Sequence, residues 1–95
     1  FKINDYGKFL ENLYFEFSEE EMSEFYRCIG RNVKKLRQKK GLTQMELGLA
    51  LGHTGVGTIS VSEVYYNKKH FNLEHLYKIA HILEVDICEF FKTTE

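Results

Sequence analysis

Thr58, Ser60, Ser62 and Glu63 lie within six residues of one another, in a short segment that follows the glycine-rich break Gly52–Gly57. Hydroxyls and a carboxylate on one exposed helix surface can give and accept hydrogen bonds at base edges in a duplex groove. The charge around them fits a polyanion. The net charge is −1, but residues 1 to 24 hold two Lys against seven acids, whereas residues 25 to 78 hold ten Lys and Arg against three acids. A basic body behind an acidic leader suits a polyanion binder better than a solvated helix surface.

Other chemistries find less support. His53, His70, His75 and His81 do not repeat on one helical face, and no cysteine pair joins them, so no metal is expected. Gly55-Val56-Gly57 lacks the strand and third glycine of a nucleotide loop. No elbow motif presents a serine nucleophile, so no enzyme is expected, nor any cofactor or small-molecule ligand. Cys28 and Cys88 read as small core residues of a protein kept in a reducing cytoplasm. No apolar run is long enough to span a membrane.

The elements that must carry the polar segment are helical. Proline is absent from the 95 residues, which favours uninterrupted helices joined at Gly and Asn. Tyr6, Phe9, Leu10, Leu13, Tyr14 and Phe17 form the stripe of an amphipathic leader helix. Ser18 with Glu21 forms a capping box opening a first helix. That helix runs to about Lys40, with Met22, Phe25, Tyr26, Ile29, Val33 and Leu36 inward and Gly41 as a left-handed terminator. Thr43 with Glu46 caps a second helix, in which Leu47 and Ala50 brace a third and Gly48 permits a close crossing. The third helix is expected over about 58–66, with Val61 and Val64 inward. Asn72 opens a fourth, using Leu73, Leu76, Ile79, Ala80 and Leu83. Asp86 with Glu89 caps a last turn or two bearing Ile87, Phe90 and Phe91.

Two short helices joined tightly, the second exposing polar groups, is the arrangement that sets a helix into the DNA major groove. Residues 25 to 92 resemble the Cro/CI-type, or XRE, helix-turn-helix family of regulators. The resemblance rests on Gly41-Leu42-Thr43-Gln44, Glu46-Leu47, Leu51-Gly52, Ser60-Val61-Ser62, Val64, Asn67-Lys68-Lys69, Leu73-Glu74, Leu76, Lys78-Ile79-Ala80, Leu83, Val85 and Phe90-Phe91. It implies an all-α fold, a five-helix lambda-repressor-like bundle whose third helix reads DNA, here with an extra N-terminal amphipathic helix. It also implies that Gln44 meets a phosphate, that Thr58, Ile59, Ser62 and Glu63 face bases, and that Asn67, Lys68 and Lys69 hold the backbone. Ile59 is then placed for a thymine methyl and Glu63 for a cytosine amine.

Three departures from the family pattern are visible. Seven residues separate Gly52 from Ser60 where about four are usual. Tyr65 stands where many relatives carry the Glu that pairs with an Arg of the first helix, so Arg37 is expected to lose its pair to aromatic packing. Phe71 replaces a frequent proline.

The resulting expectation is a leader over 1–24 and a DNA-binding domain over 25–95. The protein is expected to be a cytoplasmic regulator, a repressor in the simplest case, binding a palindromic operator on double-stranded DNA as a homodimer that joins through the N-terminal helix. The competing reading is a protein-interaction module or antitoxin-like protein that binds a partner protein through the leader.

Overall fold

The computed structural model describes residues 15–52 and 55–93. They build four α-helices: α1 (Glu19–Lys40), α2 (Gln44–Leu51), α3 (Gly55–Glu63) and α4 (Leu73–Leu83). Short 3-10 turns follow at Tyr66–Lys68 and Ile87–Phe91, and no strand occurs among the described residues. The all-α expectation is met, with a 3-10 turn in the fifth position. The leader stripe up to Tyr14 lies outside the described residues, and Phe15, Glu16 and Phe17 are non-helical and exposed. No described helix is long and apolar enough to cross a membrane.

Local chemistry sets most of the boundaries. The Ser18 side chain accepts from the Glu21 N–H at 3.0 Å, half of the expected capping box. Glu19, Glu20 and Glu21 face the positive end of the α1 dipole. At the other end Gly41 takes φ 84°, which lets its N–H reach the Gln38 carbonyl and the Leu42 N–H reach that of Arg37. At α2, Thr43 Oγ1 accepts from the Glu46 N–H at 3.0 Å and the Glu46 carboxylate accepts from the Thr43 N–H at 2.9 Å. The latter bond holds the Glu46 carboxyl below its ordinary pKa. Asn72 and His75 make the equivalent box at α4, where the imidazole Nδ1 accepts from the Asn72 N–H. Asp86 caps the last turn by accepting from Cys88 N–H at 2.8 Å, while Glu89 pairs with Lys92.

These elements close around one core, formed by Ile29 and Val33 of α1, Leu47 of α2, Ile59 of α3, Phe71, Leu76, Ile79, Ala80 and Leu83 of the α4 region, and Phe90. Phe71, in the place of the usual proline, is buried and contributes to it. Asn32 fastens the chain end to α1: its buried amide donates to the carbonyls of Phe90 at 2.8 Å and Lys92 at 2.7 Å.

Several inward assignments are corrected. Met22, Phe25 and Leu73 are exposed, and Ala50 is exposed beside the buried Leu47. Cys88 is exposed and Cys28 half-buried, so neither is a core residue.

The packing of α3 depends on two glycines. A Cβ on Gly48 would stand 2.4 Å from Val56 Cα, and one on Gly30 would stand 2.4 Å from the Glu63 carbonyl oxygen. Both obstacles are backbone, so neither can step aside cheaply. Gly30→Ala and Gly48→Ala should each lower stability by about 1–3 kcal/mol or more in urea unfolding. Gly57, whose added Cβ meets nothing within 4 Å, should tolerate alanine with unchanged or slightly raised stability.

Candidate nucleic-acid interface

The position of α3 is decided by one buried ion pair. Arg37 Nε donates to Glu63 Oε2 at 2.7 Å and Nη2 donates to Oε1 at 3.1 Å, with the side chains 7 % and 0 % exposed. Arg37 Nη1 also donates to the Leu42 carbonyl at 2.8 Å, and Gln44 Nε2 donates to Glu63 Oε1 at 2.9 Å. A carboxylate removed from water must have its lone pairs occupied. Here α1, the α1–α2 turn and the first residue of α2 all contribute to that network. Glu63 closes α3, so the pair fixes both the azimuth and the end of the helix.

This geometry overturns part of the sequence reading. α3 spans Gly55–Glu63 rather than 58–66, because the extra residues after Gly52 enter the helix start. Ile59 is fully buried in the core, Ser62 is buried, and Glu63 is the partner of Arg37. None of the three lies on the outward surface of α3. Arg37 therefore keeps its pair, with Glu63 and not the Tyr65 position. Gln44 donates its amide to Glu63 and is half-buried. Thr58 is half-buried, and Val64, expected inward, is 58 % exposed.

The outward surface consists instead of Gly57, Ser60 and Val64, exposed, with Val61 half-buried between them. They recur at i, i+3, i+4 and i+7, one face of α3 continued into Val64, the first residue beyond it. The face opposite, Val56, Ile59 and Glu63, follows the same period. A signal for this register was present in the sequence: of the three acids in the basic body, Glu46 serves a capping box and Glu74 opens α4. That leaves Glu63 to answer a buried arginine.

After α3 the backbone turns through left-handed conformations at Tyr65 (φ 56°), Asn67 (φ 54°) and Lys68 (φ 61°). Non-glycine residues hold this region only when their surroundings fix them. The Tyr65 ring stacks on Tyr26 at 5.5 Å, Tyr26 stacks on His70 at 3.9 Å, and the Arg27 guanidinium lies 5.5 Å from the Tyr65 ring centre. That stack anchors a turn which leaves Asn67, Lys68 and Lys69 exposed. Lys68 is not idle: its Nζ lies 2.8 Å from Glu19 Oε1 at the start of α1. The contact raises the Lys68 pKa and lowers that of Glu19. Both side chains are more than 70 % exposed, so water and salt screen the pair and a phosphate can displace the carboxylate.

Removing one partner of the buried pair leaves the other charged and unsatisfied. Glu63→Ala should cost about 3–5 kcal/mol of folding stability, read from urea denaturation of the intact chain. Unchanged stability combined with altered base preference would restore the outward assignment of Glu63.

A helix-turn-helix family model matches residues 33–90, which include the last eight residues of α1 and all of α2, α3 and α4. No curated protein and no solved structure gives a significant match. The matched region covers well over half of the chain and contains the braced pair α2–α3 with its buried Arg37–Glu63 anchor. The chain belongs to the Cro/CI-type helix-turn-helix family of DNA-binding regulators.

Proposed function

We propose that this DNA-binding regulator is a cytoplasmic repressor that sets α3 into the major groove of a palindromic operator. The observation that carries this reading is the division of α3 into a locked side, Ile59 and Glu63, and an open side, Gly57, Ser60, Val61 and Val64. Asn67, Lys68 and Lys69, on the turn that follows, hold the phosphates. In a homodimer two such helices meet successive major grooves about 34 Å apart.

Dimerisation is assigned to the leader together with the face of α1 and the last turn beside it. Met22, Phe25 and Phe91 remain exposed, and Phe25, Cys28, Ile29 and Phe91 line a groove of about 470 Å³ between α1 and the last turn. The same groove supports a second reading, in which the chain's main task is to hold a partner protein there, as an antitoxin would.

Fluorescence titration against random duplex DNA at several salt concentrations separates the two readings. A phosphate-contacting regulator loses affinity steeply as salt rises. Lys68→Ala and Lys69→Ala should weaken binding to every sequence and each reduce the salt slope by about one. Glu19→Gln, which releases Lys68, should raise affinity at low salt. Salt-insensitive or absent binding would favour the partner-protein reading, and a monomer in sedimentation at high micromolar concentration would remove the dimer.

A further inference from the structure

The open side of α3 has an unusual composition for reading bases. Gly57, Ser60, Val61 and Val64 include no charged side chain and no amide. The carboxylate of Glu63 is committed to Arg37 and the amide of Gln44 to Glu63. The Ser60 hydroxyl donates its proton to the Gly57 carbonyl at 3.0 Å. On this exposed residue the oxygen keeps its lone pairs as an acceptor. The surface thus offers two branched apolar side chains, one acceptor, and at Gly57 a place where nothing projects.

Base pairs differ in what they can use. In the major groove guanine shows only acceptors, adenine an acceptor and an amine, cytosine an amine, and thymine an acceptor with the C5 methyl group. A face whose one hydroxyl has spent its proton has no side-chain donor for guanine. Its valines match the one apolar group that the groove displays. The serine oxygen can accept from the adenine amine of a neighbouring A·T pair.

Resting on the DNA-binding reading above, we infer that Val61 and Val64 read thymine methyl groups, and that the half-site is built on A·T pairs opposite α3. Val61 and Val64 are three residues apart, just under one helical turn, so their methyls meet adjacent positions along the groove. Gly57 lets the N-terminal part of the helix come close to the neighbouring base edges. Lys68 and Lys69 lie beyond this face and contribute affinity without base preference.

The test begins by selecting bound duplexes from a random pool with the full chain. Each thymine of the selected site is then replaced singly by deoxyuridine, which deletes the methyl and leaves pairing intact. One or two thymines per half-site should lose about fourfold in affinity on replacement, the equivalent of ~0.8 kcal/mol for one methyl group. Val61→Ala and Val64→Ala should each abolish the sensitivity at one of those positions while the salt slope stays the same. A selected site indifferent to deoxyuridine throughout, or one with guanines opposite α3, would overturn this inference and leave the DNA-binding reading standing. Salt-dependent binding with no selected sequence would do the same. Absence of salt-dependent binding to any duplex would remove both.

Discussion

The buried pair between Arg37 and Glu63 is the constraint on which the remaining geometry depends. Each group would be costly in the interior alone, and together they are acceptable because further contacts complete them: the Leu42 carbonyl for the guanidinium and the Gln44 amide for the carboxylate. Because the partners come from α1 and the end of α3, the pair does more than stabilise. It selects one rotation of α3 about its own axis, placing Ile59 in the core and turning the Gly57–Val64 face outward. Gly30 and Gly48 complete the requirement by letting the α3 backbone approach α1 and α2 closely.

What could be read from the sequence follows this hierarchy. Local determinants were legible: Thr43 with Glu46 opens α2, Gly41 closes α1 in the left-handed region, and Asn72 opens α4. So was the stripe Leu76, Ile79, Ala80 and Leu83. The register of α3 was legible only by elimination among the acids, which leaves Glu63 for Arg37. Its two candidate faces, Val56 with Ile59 and Val61 with Val64, are almost equally apolar, so hydrophobic periodicity cannot choose between them. The choice is made by a tertiary interaction spanning 26 residues. Placing Tyr65 in the acidic partner's position followed from assigning the extra residues to the turn instead of the helix start. Ser60, Asn67, Lys68 and Lys69 kept exposed positions, Thr58 and Gln44 are half-buried, and Ile59, Ser62 and Glu63 are buried.

The turn after α3 shows how charge and strain are combined beside that face. Left-handed backbone at Tyr65, Asn67 and Lys68 is held by an aromatic stack with Tyr26 and His70, which joins the turn to α1. The acidic start of α1 reaches the same turn through Glu19 and Lys68. An exposed pair of this kind has little stabilising value, but it occupies a cation that a phosphate would otherwise meet.

The most direct measurement of the orientation of α3 is methyl-resolved NMR of the chain bound to its preferred duplex. Intermolecular NOEs from the methyls of Val61 and Val64 to DNA protons, with none from Ile59, are the predicted result. Contacts from Ile59, or silence at both valines in a saturated complex, would contradict it.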